Sequence, residues 1–380
     1  MKKLAIIGAS YLQNPLILKA KELGLETHVF AWQCGDIGET TADFFYPISI
    51  LEKDAILEKC REIGVDGVCT IATDLGAVTV NYVANRLGLT ANTDECTYLS
   101  TNKHAMREAF FRGGDPSPKS FLVDSAEQAQ ALPLAYPVIV KPTDRSGSRG
   151  ITKLYDPSGL ADAIRAAQEQ GFEKKALVEE FAEGEEYSVE CISFGGEHHY
   201  LAMTKKYTTG APHFIETGHL EPAPVSGKTL EMVKSVVFHA LNTLKIQNGA
   251  SHSELKIAAD GTIRLIEIGG RMGGDCIGSD LVFLSTGVDF VRAVIQVALG
   301  QAPDLTPAQK GRPAAVRVVF TQQDLDVLQT MENDHPEYLV RTENLTPING
   351  TVSDSSMRFG AYLMCADEAA QLAPYLPEQE

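Results

Sequence analysis

Two glutamates near residue 260 are placed where they could hold a metal ion between them. An Asp260-Gly261 dipeptide separates two runs of alternating apolar residues, which predicts a β-hairpin with a two-residue turn. In that hairpin Glu254 and Glu267 lie directly opposite each other, with both side chains on one face. Like charges in this relation destabilise a sheet unless a cation lies between them. Mg²⁺ fits, because it accepts a few carboxylate oxygens and completes its coordination with water and phosphate.

The residues around the hairpin decide between a metal site and a simpler interpretation. Lys256 lies on the same face, and in an arbitrary hairpin it would neutralise the pair in solvent. Here, however, Glu267 begins a run in which four of the eight residues 267–274 are glycine. So much glycine inside a folded domain indicates backbone that approaches a ligand closely. The sequence therefore favours the metal site.

A lysine and a loop of small residues could bind a polyphosphate. Lys141 ends a predicted buried strand, Pro137–Lys141, and the loop Asp144–Gly150 follows it directly. Backbone N–H groups, serine hydroxyls and an ammonium group are what phosphates need, and a flexible loop can close over them. The loop does not match the Walker pattern, and Gly8 opens no G-x-G-x-x-G motif. A surface turn is the alternative for this loop taken alone.

Two further segments leave two interpretations open. The acidic run Val178–Tyr187 joins two predicted strands. It is either a solvated connector or a source of backbone groups for a base and of a carboxylate for a ribose. Lys103, early in the predicted helix Thr101–Arg112, is either exposed or reaches a phosphate.

These groups require elements that bring them to one place. The first hundred residues alternate strand and helix patterns, which predicts a parallel sheet covered on both faces. From about residue 119 the pattern becomes α+β, with the helix Ser158–Gln170, a hairpin that turns at Gly195-Gly196, and the long helix Lys228–Leu244. Strands near Ala314–Phe320 and Arg358–Met364 predict a small tail unit.

Composition restricts the class of protein. The 380 residues carry a net charge of −17, which argues against a broad basic surface for nucleic acid. The seven cysteines are scattered without a C-x-x-C pair, which argues against a zinc site or a disulfide framework. No apolar run approaches the ~20 residues that span a bilayer, and the N-terminus enters the short run Leu4–Ile7 without a signal peptide. We therefore expect a cytoplasmic protein with no membrane partner.

In this order along the chain, the motifs resemble those of the ATP-grasp superfamily of carboxylate–amine ligases, over roughly residues 1–300. The fold class implied is α/β and α+β, with an N-terminal parallel α/β (pre-ATP-grasp) domain over 1–100 and an ATP-grasp core over 101–305. The core would contain a mobile lid subdomain at about 119–190 and a C-terminal α+β subdomain. A small α+β unit would occupy 306–380. The cofactors implied are ATP and two Mg²⁺ ions, with Mn²⁺ able to substitute.

The resemblance also implies roles for single residues. Two phosphate-binding lysines, the mobile loop, the adenine hinge and a ribose-binding acid would hold ATP: Lys103, Lys141, Ser146, Gly147, Ser148, Glu179, Glu180, Phe181, Ala182 and Glu186. Glu254 and Glu267 would bind the metal. Gly269 stands where many relatives have asparagine, which leaves a third protein ligand for the second metal open.

Within the superfamily, the spacing is most similar to that of bacterial L-amino-acid ligases, which make dipeptides. Such an enzyme joins a carboxylate, here expected to be an amino acid, to an amine through an acyl phosphate and releases ADP and phosphate. Arg271 would steady the transferred phosphate and the tetrahedral intermediate, His219 would bind substrate beside the phosphate, and Asp275 would hold a substrate ammonium. The expected partners are small molecules, and a homodimer is expected of this group.

Three alternatives remain at this point. The protein could be an ATP-grasp enzyme that acts on a nucleotide-precursor amine or on bicarbonate. It could be a nucleotide-binding protein without turnover, against which the intact Glu254, Glu267 and Arg271 argue. An NAD-dependent dehydrogenase lacks its glycine fingerprint here and would leave the carboxylate hairpin unexplained.

Overall fold

The structure, a computed structural model, describes residues 1–145, 147–212 and 214–378. The chain begins with a four-stranded parallel sheet in the order β3-β2-β1-β4, as the alternating pattern predicts. Residues Leu4–Ile7 are fully buried because the sheet is covered on both faces. The elements are β1 (Lys3–Ile7), α1 (Asn14–Glu22), β2 (Glu26–Phe30), α2 (Gly38–Thr41), β3 (Phe44–Tyr46), α3 (Lys53–Ile63), β4 (Gly67–Cys69), α4 (Asp74–Leu87), α5 (Asp94–Thr101) and α6 (Lys103–Gly113).

A second sheet, which we call the lid sheet, follows. It has four strands in the order β5-β8-β6-β7, all paired antiparallel, and α7 and α8 pack against it. Its elements are β5 (Ser120–Val123), α7 (Ala126–Gln130), β6 (Val138–Pro142), β7 (Thr152–Leu154), α8 (Leu160–Gln170) and β8 (Ala176–Glu180). The lid sheet therefore ends at Glu180, and the next strand belongs to another sheet.

The central sheet has eight strands in the order β13-β12-β9-β10-β11-β14-β16-β15. Its first part contains β9 (Glu185–Phe194), β10 (Glu197–Thr208), β11 (Glu216–Glu221), α9 (Gly227–Thr243), β12 (Gly249–Ile257), β13 (Ile263–Gly269), a π-helical turn (Ile277–Leu281), α10 (Val282–Thr286) and α11 (Phe290–Ala298). Helix α11 packs on α1 and β4 and also on β9 and β12, so that one apolar core joins the first sheet to the central sheet.

The tail continues the central sheet. Its strand β14 pairs with β11, so that the sheet extends without a break from the carboxylate hairpin into the tail. The tail elements are β14 (Ala314–Val318), α12 (Gln322–Asp334), β15 (Leu339–Glu343), β16 (Ala361–Cys365) and α13 (Ala369–Leu372). The predicted strand Arg358–Met364 begins three residues later than expected, which leaves Arg358 in the loop before it.

Two expectations from composition concern the cysteines and membrane-spanning helices. All seven cysteines are free thiols, and all but Cys34 are buried. Among the described residues, no single helix has the length and apolar character needed to cross a membrane. The segments Ile277–Thr286 and Phe290–Ala298, bent by 120°, pass that test only as a pair.

Candidate functional site

A cleft of about 350 Å³ opens between the lid sheet, the central sheet and the loops that follow the first sheet. Its walls include all the described residues to which the sequence gave a role. These are Lys103, Lys141, Gly147, Ser148, Glu179, Glu180, Phe181, Ala182, Glu186, His219, Glu254, Glu267, Arg271 and Asp275. Ser146 lies outside the described residues. The geometry thus brings residues separated by more than 170 positions into one site.

The carboxylate hairpin is formed by β12 and β13, but its turn differs from the prediction. Ala258 pairs with Thr262, and Gly261 adopts a φ of 84°, so the loop has three residues and not two. This shift by one residue would have moved the two acids out of register. A β-bulge at Ile266 restores the register, and Glu254 does lie opposite Glu267. The predicted pairing of the acids is therefore confirmed, whereas the two-residue turn is wrong.

A buried lysine that the sequence did not indicate neutralises Glu254. The ammonium group of Lys206, on β10, lies 2.5 Å from Glu254 Oε1, 3.4 Å from Glu186 Oε1 and 3.6 Å from Glu216 Oε1. Burial alone would lower the pKa of Lys206, but these carboxylates raise it well above its ordinary value. Lys256, which the simpler interpretation placed beside the pair, lies 3.9 Å from Glu186 instead.

Glu267 is paired with Lys103, which links three segments. The ammonium group of Lys103 lies 2.7 Å from Glu267 Oε1 and donates to the carbonyl oxygen of Arg145 at 2.8 Å. Lys103 begins α6, whose N-terminus is capped by the Asn102 side chain, and its backbone N–H donates to Thr143 O at 2.7 Å. Partial positive charge at the helix N-terminus and the ammonium group together favour an anion here.

Lys141 belongs to a buried charge triad at the back of the cleft. Its ammonium group contacts Glu179 Oε2 at 2.5 Å, and Arg107 Nε lies 2.8 Å from Glu179 Oε1. Burial would raise the pKa of Glu179, but the two cations lower it to about 2. Burial also lowers the pKa of Lys141, against the effect of Glu179. The Glu179 carboxylate thus positions Lys141. The backbone of Glu179 lies near the end of β8.

The segment between β8 and β9, residues 181–184, runs along the cleft, and we call it the hinge segment. The ammonium group of Lys153 lies 3.4 Å from the ring centroid of Phe181, which places a cation over an aromatic wall. Gly184 has a φ of 115°, and a Cβ atom there would lie 2.3 Å from the carbonyl oxygen of Ile257. Only glycine therefore lets the hinge cross the end of β12 before Glu186.

The small-residue loop contacts the segment between β10 and β11. Gly147 and Ser148 have φ angles of 74° and 57°, and the Ser148 hydroxyl donates to the carbonyl oxygen of Phe214 at 2.9 Å. This contact joins the lid to the central sheet across the cleft.

Arg271 is held by an acid from the N-terminal part of the chain. Its Nε donates to Asp74 Oδ1 at 2.8 Å, and its Nη2 to Asp74 Oδ2 at 3.3 Å. Burial would lower the pKa of Arg271, but Asp74 raises it. A Cβ atom at Gly269 would lie 3.0 Å from Asp74 Oδ1 and 3.3 Å from Arg271 Nε. Glycine at position 269 therefore leaves room for this pair.

The far end of the cleft contains His219, Asp275 and Arg358. His219 is fully buried, and in the described part of the chain neither ring nitrogen has a hydrogen-bond partner. Its Nε2 lies 3.8 Å from Asp275 Oδ2. Arg358 donates to both oxygens of Asp275, at 2.7 and 2.6 Å. Although burial would raise the pKa of Asp275, Arg358 and His219 hold it well below its ordinary value.

Several of these partners lay outside the sequence predictions. Arg107 follows Lys103 by four residues on one helix, so helical spacing could have indicated it. Asp74 begins the helix that follows β4 of the parallel sheet, and binding sites often form at this end of such a sheet. Lys206 and Arg358 had no local signal, because each reaches the site from a strand or loop whose neighbours are set by the tertiary fold.

The sheets and the cleft have the arrangement of an ATP-grasp fold. Residues 134–280 match the family described as the ATP-grasp domain, so the chain contains that domain, and the resemblance found in the motifs is confirmed. The fold class is confirmed as well. The crystal structure of an L-amino acid ligase from Bacillus licheniformis superposes with a TM-score of 0.85 at 22% identity, over 99% of this chain and 96% of that one.

The relatives found by sequence include a named ligase. The chain is 27% identical to alanine–anticapsin ligase of Bacillus subtilis (strain 168) over 302 residues, which cover 70% of this chain and 64% of that protein. It spans about three fifths of the length of the first curated relatives it matches. A phosphoribosylglycinamide synthetase structure from Anaerococcus prevotii has the same fold, with a TM-score of 0.77, 21% identity, and coverage of 98% of this chain and 96% of that one.

Proposed function

We propose that this protein is an ATP- and Mg²⁺-dependent ligase that joins the carboxylate of an amino acid to an amine and releases ADP and phosphate. The observation that carries the proposal is the set of opposed carboxylates, Glu254 and Glu267, flanked by Lys103, Lys206 and Arg271 in one cleft. Metal-binding acids surrounded by cations suit a metal–polyphosphate complex. The similarity to a ligase that bears alanine in its name supports an amino acid as substrate.

The residues present fit Mg²⁺. The side chains of Glu254 and Glu267 are each about one quarter exposed or less and line the cleft from adjacent strands. One or two carboxylates, with phosphate and water, form the usual protein site for this ion. These two acids would hold it, and its charge would neutralise the phosphoryl group. Lys103 and Lys206 hold the acids in place.

The cations of the cleft suit the phosphates of ATP. Lys103, at the N-terminus of α6, and Lys141, behind it, would bind phosphate oxygens, and the loop with Gly147 and Ser148 would cover them. The hinge around Phe181 would supply backbone groups to the base. Glu186 would accept a hydrogen bond from the ribose.

The reaction that follows has two displacements. A carboxylate oxygen of the first substrate attacks the γ-phosphorus, and ADP leaves, which gives an acyl phosphate. The amine of the second substrate then attacks the carbonyl carbon, phosphate leaves, and the amine loses a proton. Arg271, fixed by Asp74, would stabilise negative charge in both steps, and the His219 ring is free to hydrogen-bond to a substrate.

A screen of phosphate release over all pairs of amino acids, simple amines and carboxylates, with mass spectrometry of the products, tests the proposal. We expect ADP, phosphate and a condensed product from at least one amino-acid pair. Glu267→Gln should have the unfolding transition of wild type. Its turnover should fall by at least about 100-fold, because the variant lacks one of the two proposed metal-binding carboxylates. Release of AMP and pyrophosphate, or normal turnover by Glu267→Gln, would contradict the assignment. Use of bicarbonate or of a nucleotide-precursor amine alone would favour the alternative substrates.

A homodimer and a cytoplasmic location stay predictions. We further infer that the substrates are small molecules and that no nucleic acid binds, which the net charge of −17 supports.

A further inference from the structure

Segments that are distant in the sequence build one end of the cleft. They are the loop after β1 with Leu12, the turn after β13 with Asp275 and Ile277, and the tail loop with Ser355 and Arg358. We call this end the tail pocket. The tail, whose role the motifs did not reveal, thus supplies a wall of the site.

Arg358 presents a fixed guanidinium in the tail pocket. It binds Asp275 with two hydrogen bonds, and its Nε donates to the carbonyl oxygen of Ser355 at 2.8 Å. The side chain is 13% exposed. A guanidinium carries five N–H donors, so that two remain after these three bonds. The two remaining N–H groups, one on each Nη, can each donate to an oxygen of a further carboxylate.

The backbone that carries Asp275 is strained. Asp275 and Cys276 have φ angles of 49° and 62°, consecutive positive values that non-glycine residues rarely adopt. A π-helical turn, itself uncommon, follows at once. Strain of this kind persists where the surrounding structure holds it, and it concentrates at ligand sites.

The tail pocket also contains a group without a partner. The ring of His219 is buried beside Asp275, and its two nitrogens have no hydrogen-bond partner in the described part of the chain. Buried polar atoms in proteins almost always have a partner in the protein, in ordered water or in a ligand. The ring faces the cleft and is available to a substrate.

The two guanidiniums of the cleft have different surroundings. The acids that interact most strongly with Arg271 are Asp74 and then Glu254, a proposed metal ligand. Those that interact most strongly with Arg358 are Asp275 and then Glu216. Arg271 therefore serves the phosphoryl end, whereas Arg358 lies where an anion that does not react with ATP would be held.

We propose that Arg358 binds the carboxylate of the amino acid that donates the amine, an inference that rests on the ligase activity proposed above. This carboxylate stays intact in the product, so it needs a binding site apart from the phosphate. Asp275 is then a positioning residue, which orients the guanidinium. The second substrate is accordingly an α-amino acid with a free carboxylate, and the tail selects it.

The test compares each amine substrate with its amide and its methyl ester, which lack the negative charge. Wild type should use the free amino acid with a kcat/KM about 10- to 100-fold higher, the effect of hydrogen bonds to a charged group. Arg358→Gln should lose this preference, with a higher KM for the amino acid and an unchanged KM for the carboxylate substrate. Arg358→Lys should recover part of the preference.

Arg312→Gln is the matched control, because Arg312 is an exposed tail arginine that pairs with Asp367. It should keep the preference of wild type. If Arg358→Gln does not fold, the double variant Asp275→Asn/Arg358→Gln removes both buried charges together. Equal use of acid and amide by wild type, or a preference that survives the loss of Arg358, overturns the inference and leaves the ligase assignment intact. Absence of phosphate release with any pair overturns both.

Discussion

At the scale of single residues, the cations of the cleft are matched to acids. Lys103 pairs with Glu267, Lys206 with Glu254, Lys141 with Glu179, Arg271 with Asp74, and Arg358 with Asp275. A metal ion would take up the charge of two of these acids, which releases two lysines for phosphate oxygens. Metal and polyanion thus favour each other's binding, and an acidic protein can hold a nucleotide without a basic surface.

Glu221 differs from these acids because hydroxyl groups, and not a cation, contact it. It is fully buried, and the hydroxyls of Thr204 and Ser285 donate to its two oxygens. Burial raises its pKa from 4.5 to about 7. The folded state therefore binds this proton more tightly than the unfolded state does. Its stability should fall as the pH rises from about 4.5 to about 7 and stay low above that.

Glu221→Gln should remove this pH dependence, since the amide has the shape of the protonated acid. The shift corresponds to about 3 kcal/mol, so the variant should be more stable than wild type by that order at pH 8 and nearly equal at pH 4.5. Urea unfolding at the two pH values measures the difference. Glu231→Gln, at an exposed position on α9, should show no such change. A variant that is destabilised equally at both pH values would contradict the assignment.

At the scale of elements, the hairpin β12–β13 is supported by β9, which pairs with β12 on the side away from β13. Glu190 lies across from His252 in the ladder, its carboxylate bonds the His252 ring, and the ring's other nitrogen lies 3.3 Å from Glu254 Oε1. Glu190 also accepts the backbone N–H of Gly273 at 2.9 Å. Burial would lower the pKa of His252, but Glu190 raises it to about 9. One buried acid thus connects Glu254, a proposed metal ligand, to the turn after β13.

Glu190→Gln should loosen this arrangement. Removal of one partner of a buried ion pair costs about 3–5 kcal/mol of folding stability. We also expect a several-fold higher Mg²⁺ concentration for half-maximal phosphate release, because Glu254 is less well oriented. Urea unfolding and a Mn²⁺-binding titration, followed by electron paramagnetic resonance, measure the two effects. Glu197→Gln is the control, because Glu197 is exposed at the first position of β10. Unchanged metal affinity would mean that Glu190 serves stability alone.

Local sequence signals predict strands and helices where particular residue types mark their turns and ends. Helices α3 and α4 end at Gly64 and Gly88, both in the left-handed conformation that glycine adopts readily. The opposed acids were predicted because the period of a strand and a glycine turn are both visible in sequence. The bulge at Ile266 was not, since no residue type marks it. Lys206 and Arg358 were missed because their contacts depend on which strands become neighbours.

At the scale of the whole molecule, three sheets meet at one cleft, and the tail belongs to the largest of them. The sequence indicated a separate unit over 306–380, because a segment rich in proline and glycine precedes the tail strands. In the structure, β14 pairs antiparallel with β11. Four residue pairs join residues Gly218 to Glu221 with residues Arg317 to Ala314. Sequence cannot show such a pairing, since its partners are about a hundred residues apart.

Removal of residues 306–380 should therefore destabilise the entire chain. All of β14 is buried, and loss of the tail would expose the edge of β11 and apolar residues that pack against the tail, such as Leu220, Ile277 and Leu281. We expect the fragment 1–305 to aggregate and to lose the wild-type unfolding transition. Size-exclusion chromatography and thermal unfolding measure this outcome, and co-expression of 306–380 should restore a complex. A monomeric fragment with the transition temperature of the full chain would show instead that the tail folds as an independent unit. The pairing of β11 with β14 predicts aggregation, because a strand edge that has lost its partner exposes unpaired N–H and C=O groups to other chains.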